Sequence, residues 1–474
     1  MFVKKYLKYV VACLFLLTTI IIILGRSTIL TPDAAYHLKT GEWILSNKTI
    51  PKEDIYSWHP EKLVFIAHEW LYQVIIALIH KAGGMFALTV FASALTMISY
   101  CLSLWKSKGY VLGSLLALLM IVCHMGKQIM LLPDSFGILL LMITLFVVTS
   151  EKLNQKIKPY IVFGLGVIMA NMHGGMLSVT LCMLIFLCII DCIREHRLNR
   201  ERFLYVMLAF VGGIFNPYGI SIYKYIGVIS TQSAKYNSDY MTYQTSGMME
   251  VFLFVGIQAL VVIGYIKKHE GKIVLTDDIC LYVATLTMFL TYQRLINLYT
   301  YSLLAFGMPY CMAAIKDIKP KIRTIGVSVS CVISAFLLMV MLNGITLFHG
   351  TADSYIRRNL LSDEMLETLA KNDVVLYNNI DAGGYLIYED IPVYLDGRTE
   401  TYTHEFGNHD YYLESVNIDA SPDYMDKLGY GFTHVLLRKG SVEARIYDAS
   451  STWERKLSND NFILYIKNES EAKS

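Results

Sequence analysis

Charge is what this chain has least of. Only 17% of its 474 residues are Asp, Glu, Lys or Arg, 55% are hydrophobic and mean hydropathy is +0.45, whereas soluble domains carry roughly a quarter charged residues. A chain so poor in charge does not solvate as a globule, so composition predicts an integral membrane protein. Cysteine is missing from every polar stretch: all nine lie inside or at the ends of apolar runs. That excludes disulfides as the framework of the exposed parts and leaves no CxxC metal site. No second His follows His68-Glu69 at the HExxH spacing, since Tyr72 stands there, so a zinc protease is unsupported. The glycine pairs lack phosphate-loop spacing, and there is no internal repeat or low-complexity segment.

What the chain does have is apolar runs, at residues 9–24, 85–104, 110–124, 129–148, 160–171, 176–192, 203–215, 251–266, 279–292, 295–314 and 325–347. Roughly 30 Å of hydrocarbon needs about 20 helical residues, so these predict about 11 transmembrane helices, several of them short. The first follows Lys4, Lys5 and Lys8 and has no small-residue cleavage site after it, as expected of a retained signal anchor. Lys and Arg then recur at every second loop: Lys106 and Lys108, Lys152 to Lys158, Arg194 to Arg202, Lys267 to Lys272, and Lys316 to Arg323. The positive-inside rule places these loops and the N-terminus in the cytoplasm. The alternation requires the apolar stretch at 70–80 to lie in the outer interface, with Trp70 and Tyr72 as headgroup-level anchors, and 218–229 to do likewise.

Charge also divides the chain. Residues 351–474 carry 12 Lys and Arg against 22 Asp and Glu, a net −10, which leaves +12 for residues 1–350. The expected organisation is a transmembrane domain at 1–350 with a large first outer loop at 26–84, then a water-facing α/β domain at 351–474 that odd span parity places outside the cytoplasm, an extracytoplasmic domain. In the latter, VVLYNN, GYLIYE, PVYLDGR, THVLLRK and FILYIK read as strands, and 362–370 as a helix. An acidic exposed domain gives no support for nucleic-acid binding.

The candidate chemistry concentrates in the first outer loop. Asp33 and His37 stand four residues apart, on one face if helical. A carboxylate beside an imidazole takes a proton from a hydroxyl nucleophile or holds a divalent ion; alternatively, Pro32-Asp33 simply opens a helix. His68-Glu69 joins this set, or belongs to an interfacial anchor. Asp54 is a third acidic candidate, or a turn residue. In the membrane body, Asn171 and His173 of NMHGG form a substrate-contacting turn or a plain helix break. Arg294, with Asn297, offers a guanidinium fork for phosphoryl oxygens, or snorkels. Under the expected parity, all of these polar groups share the outer side. Asp381-Ala-Gly-Gly and Asp396-Gly-Arg398 read better as turns than as a site.

Together these segments resemble a bacterial group within the GT-C glycosyltransferase superfamily. They are D-x-x-x-H-L-x-x-G (Asp33, His37, Leu38, Gly41), P-x-x-D-x-x-S (Pro51, Asp54, Ser57), HEWL (His68 to Leu71), N-x-HGG, NPYG, and a terminal domain with GGYL and DGR. The resemblance runs essentially end to end. It implies a GT-C-like fold in a bacterial plasma membrane, a polyprenyl-phosphate-linked sugar as donor, transfer on the outer face, and Asp33 as base or metal ligand. His37, His68 and Glu69 would complete its catalytic shell, with Asp54, Asn171, His173, Arg294 and Asn297 binding substrate. The acceptor would be a cell-envelope glycan, lipid or protein. A divalent metal, Mg or Mn, is an allowed cofactor, with Asp33, His37 and Glu69 as its candidate ligands. The C-terminal domain faintly resembles oligosaccharyltransferase catalytic subunits, but Asn379-Ile380-Asp381 replaces their W-W-D, so peptide recognition does not carry over. Leu132-Pro133 also departs from the Arg-Pro expected of the group. The alternative function is a non-catalytic glycan-assembly partner or a transporter of lipid-linked glycans.

Overall fold

The structure, a computed structural model, describes residues 2–26, 31–123, 131–236, 242–244, 247–344, 361–406 and 409–468. Every expected apolar run falls on a helix where it is described. The helices are α1 (Phe2–Arg26), α2 (Pro32–Asn47), α3 (Trp70–Ser107), α4 (Tyr110–Val122), α5 (Pro133–Thr149), α6 (Lys158–Met172) and α7 (Gly174–Glu195), followed by α8 (Arg200–Gly213), α9 (Ser221–Tyr236), α10 (Met248–Lys268), α11 (Asp277–Thr291), α12 (Ile296–Ser302), α13 (Met308–Ala314) and α14 (Pro320–Gly344). Five of the described helices, α1, α3, α7, α10 and α14, are long and apolar enough to cross a membrane; α4, α5 and α6 are shorter apolar helices. The ends of the runs at 124, 129–130 and 345–347 lie outside the described residues.

The chain forms two compact units. One gathers residues 1–28, 90–226 and 237–347; the other gathers 29–89, 227–236 and 348–474. The first is the membrane body. Its core is a continuous apolar cluster running from Leu141 and Leu145 of α5 through Leu177, Leu184 and Leu187 of α7 to Phe289, Leu298 and Leu304, all buried. The run at 295–314 is not one regular helix, because a π turn at Leu303–Gly307 separates α12 from α13.

The second unit joins residues 29–89, the first long loop with the first arm of α3, to the C-terminal residues. Strands β1 (Leu376–Asn378), β2 (His434–Arg438), β3 (Trp453–Ser458) and β4 (Phe462–Lys467) form one sheet in the order β1-β2-β4-β3. β1 runs parallel to β2, and the other pairs are antiparallel. Two expected strands are not strands. GYLIYE lies in a helix, Ile380–Tyr388, whose Ala382, Gly383, Gly384, Leu386 and Ile387 are buried on one side. Packing on that side overrides the β propensity of Tyr and Ile. PVYLDGR is irregular, touching sheet geometry only where Val393 bridges Ser57. Sequence reading also missed β3, whose Glu454, Arg455 and Lys456 are exposed and conceal the pattern.

The 70–80 stretch is the first arm of α3. A kink ends that arm at Gly83 and Gly84, the latter at φ +61°, a left-handed value that glycine adopts without steric cost. Tyr72, expected as a headgroup anchor, is buried instead, with its ring edge-on to His37 at 5.8 Å.

What seats the first long loop in this unit is Arg398. Its Nη1 donates to Asp54 at 2.6 Å, while Nε and Nη2 donate to the two oxygens of Asp396 at 2.9 and 2.5 Å. The guanidinium also lies 4.7 Å from the Phe65 ring centre and 4.9 Å from that of Tyr56. Beside it, the Trp58 amide donates to the Val393 carbonyl at 3.2 Å, the Val393 amide donates to the Tyr56 carbonyl at 3.0 Å, and the Trp58 indole donates to the Leu376 carbonyl at 2.9 Å. Burial opposes ionisation of Asp54, but the Arg398 charge together with the hydrogen bonds from Ser57 and Arg398 outweighs it and holds that carboxyl below the usual carboxylate range. Arg398→Met should leave two carboxylates buried without their cation, costing about 3–5 kcal/mol, read as a lower denaturation midpoint of the purified protein. Because the folded pKa of Asp54 is depressed, its stabilisation is complete above about pH 4 and is lost as pH falls through the folded value. The wild-type midpoint should therefore drop on acidification more steeply than that of Arg398→Met; parallel curves would contradict this assignment.

Candidate functional site

In the second unit, α2 opens with Thr31 as its N-cap, the hydroxyl accepting from the Ala34 amide at 3.2 Å, and with Pro32 and Asp33 in its first turn. Both readings of Asp33 thus coexist: it starts a helix, and it stands one turn from His37 on that helix. Asp33 is half-buried and His37 is buried. His68 and Glu69 come from the residues immediately before α3. The Glu69 carboxylate lies between two imidazoles, 3.4 Å from Nε2 of His37 and 3.4 Å from Nε2 of His68. Gln73, one turn further along α3, places its amide nitrogen 3.1 Å from Nδ1 of His37. An amide NH2 only donates, so Nδ1 accepts, and the His37 proton sits on Nε2, toward Glu69. At His68 both ring nitrogens face oxygens, Nδ1 the Ile66 carbonyl at 3.3 Å and Nε2 the Glu69 carboxylate. Only the doubly protonated ring satisfies both. Burial disfavours that cation, and Glu69 more than offsets the penalty, so the His68 pKa is raised.

Two residues of this cluster carried no signal in the sequence. Burial, and after it the charges of Glu69, Asp33, Glu400 and Asp396, hold the Tyr36 phenol well above its ordinary range, so it stays a hydroxyl. Glu400, on the short helix Thr399–Tyr402 just after Arg398, adds its field at both Tyr36 and His68. Asp54 is elsewhere, committed to Arg398 and to the Ser57 amide at 2.9 Å. His59 is packed away as well. Stacked on Tyr411 at 3.7 Å and donating to the Tyr394 carbonyl at 2.7 Å, it is pushed by burial down to about 4 and is neutral.

As arranged, these side chains do not fit a divalent ion. His37 uses one nitrogen toward Gln73 and presents N–H from the other. No three His, Cys, Asp or Glu among the described residues form a metal-holding set.

In the membrane unit, His173 is the N-cap of α7: Nδ1 accepts from the Met176 amide at 2.8 Å, which fixes the proton on Nε2. That nitrogen lies 2.5 Å from Oδ1 of Asp134. Gly175 leaves room for the ring, since a Cβ there would come within 2.8 Å of His173 Cε1. Asp134, in the first turn of α5, gives its other oxygen to Nε of Arg294 at 2.7 Å. One carboxylate thus gathers α5, α7 and the turn before α12 into a cluster holding a guanidinium. Asn171 is spent on structure, its amide donating to the Val167 and Phe215 carbonyls at 2.8 Å each. Asn297 is half-buried on α12, three residues beyond Arg294.

A raised His68 pKa means stabilisation that is complete below about pH 6.5 and lost as pH rises through the folded value. The thermal midpoint of the wild type should therefore fall on going alkaline, and His68→Gln should flatten that part of the profile. A profile unchanged by the substitution would remove His68 from the pair. In the other cluster, His173→Ala should cost about 1 kcal/mol by uncapping α7, measured as a lower unfolding midpoint.

No family profile matches this sequence, and no curated protein does. Solved structures do. The crystal structure of the oligosaccharyltransferase from Archaeoglobus fulgidus superposes with a TM-score of 0.56 at 9% identity, covering 92% of this chain and 70% of that one. ArnT from Cupriavidus metallidurans superposes at 0.55 without ligand, with 9% identity over 98% of this chain and 97% of that one. Its complex with undecaprenyl phosphate superposes at 0.53, with 9% identity over 98% of each. At such identity the likeness speaks for architecture alone, and the architecture is that of a GT-C-like membrane protein.

Proposed function

We propose that this protein is a membrane glycosyltransferase that moves a sugar from a polyprenyl-phosphate-linked donor to an acceptor outside the cytoplasm. The observation that carries the reading is the cluster at the head of α2, where the half-buried carboxylate of Asp33 accompanies a hydrogen-bonded His37–Glu69–His68 array. The GT-C-like fold supports it. So does the chemistry named for its neighbours, ArnT bound to undecaprenyl phosphate and archaeal AglB in complex with a dolichol-phosphate.

In the transfer, an acceptor oxygen attacks the anomeric carbon, the bond from that carbon to the phosphate oxygen breaks, and the lipid phosphate leaves with the bonding pair. Asp33 takes the acceptor proton. His37, locked by Gln73 and Glu69, and the cationic His68 keep the polar shell in one protonation state. In the membrane unit, Arg294, oriented through Nε by Asp134, offers a guanidinium suited to a phosphate. The acceptor is a glycan, lipid or protein of the envelope.

The test supplies a panel of radiolabelled polyprenyl-phosphate sugars to purified protein. One donor should turn over in the wild type, and Asp33→Asn should lower kcat by roughly 10²–10⁴-fold, the usual worth of a general base. Arg294→Met should raise the donor KM on the order of 10-fold or more, the loss of a hydrogen bond from a charged donor. Transfer that survives Asp33→Asn would remove Asp33 as base. No turnover of any donor, with lipid-linked glycan flux across vesicles instead, would favour the transporter.

A further inference from the structure

The two glycine motifs of the C-terminal residues, GG at 383–384 and the DGR turn at 396–398, do more than turn the chain. Adjacent residues on a helix point about 100° apart, and the helix Ile380–Tyr388 uses its two adjacent glycines against two different partners. A Cβ on Gly384 would lie 2.0 Å from the Pro32 carbonyl oxygen at the start of α2. One on Gly383 would lie 2.1 Å from the Leu395 carbonyl oxygen and 2.6 Å from Cα of Asp396. The helix is thus wedged between the first residue of α2 and the DGR turn. The third glycine closes the junction: a Cβ on Gly397 would sit 2.2 Å from Oδ1 of Asp33 and 3.4 Å from its Cγ. The Asp33 carboxylate therefore lies directly against the Gly397 backbone, in space that any side chain would occupy. The turn beneath it cannot yield, because Arg398 is anchored on one side by Asp396 and on the other by Asp54.

We propose that the Asp396–Gly397–Arg398 turn is the seat of the Asp33 carboxylate, with Gly397 as its positioning residue, so that the C-terminal domain sets the orientation of the group assigned above as base. The catalytic half of this inference rests on the proposed function; the positioning half does not. The three glycines differ in what a methyl would meet. At Gly384 and Gly383 it meets backbone, so those substitutions strain the fold. At Gly397 it meets the far end of one side chain, Oδ1 of Asp33, so that side chain has to turn aside while the backbone stays in place.

The experiment compares full-length wild type with Gly397→Ala in detergent micelles, using Gly256→Ala as control because a Cβ there meets nothing within 4 Å. Carboxyl labelling with a carbodiimide and glycine ethyl ester, quantified by mass spectrometry, reads Asp33 directly. Gly397→Ala should raise Asp33 labelling several-fold, with exposed carboxylates such as Glu454 unchanged and a melting temperature close to wild type. With a donor that turns over, kcat should fall on the order of 10²-fold, the cost of misplacing a reacting group by about 1 Å, while donor KM stays within about twofold. Wild-type labelling of Asp33 in a folded Gly397→Ala protein would overturn the proposal, as would unchanged kcat alongside raised labelling for its catalytic half. If no donor turns over even in the wild type, the glycosyltransferase reading fails while labelling still decides the seat. Should Gly397→Ala fail to fold, Asp33→Glu, one methylene too long for the seat, must show the same rise in labelling at position 33, and wild-type labelling there would overturn the proposal equally.

Discussion

A guanidinium buried between two carboxylates is the contact on which the second unit depends. Arg398 and Asp54 stand 344 residues apart in the chain, and taking such charges out of water costs several kcal/mol per ion unless each finds good partners. Here each does. Asp396 takes a two-pronged bond from the guanidinium and a third from the Tyr402 hydroxyl at 2.6 Å, and Asp54 adds the Ser57 amide. Two aromatic faces cover the rest of the cation. With the pairing complete, the first long loop is no loose connection between helices. It is built into the C-terminal fold, and the start of α2 takes its orientation from there.

The same economy recurs in the membrane body. Asp134 satisfies a neutral imidazole with one oxygen and a guanidinium with the other, as Glu69 does between His37 and His68. In both clusters a second contact fixes the imidazole's proton. Gln73 does so for His37, and the Met176 amide does so for His173. Each ring is thereby held to one tautomer and one orientation, which is what a hydrogen-bonding group near reacting atoms requires.

Much of this was legible in the sequence. Apolar runs announced the helices because burial in hydrocarbon needs length and little else, and Pro32-Asp33 with His37 announced α2 because caps and one-turn spacing are local. The position of Glu400, the commitment of Asp54 to Arg398 and the meeting of Asp134 with Arg294 were not legible, since each depends on tertiary closure across long stretches of chain. The stretch GYLIYE shows the limit most clearly. Its β-prone side chains would favour a strand, yet two glycines let it lie as a helix against both Pro32 and Leu395. A strand there would have lost both contacts. Asp54 and Asn171 illustrate the converse: polar residues conspicuous in the sequence are hydrogen-bonded inside the fold and hold it together.

Bonded in this way, the loop and the C-terminal strands form one cooperative structure. Native-state hydrogen exchange under increasing denaturant tests it most directly. The amides of Asp54, Trp58 and Val393, bonded across the loop, should lose protection in the same step and with the same free energy as those of β2 and β4. Exchange of the loop amides at lower denaturant, with the sheet still protected, would contradict the account.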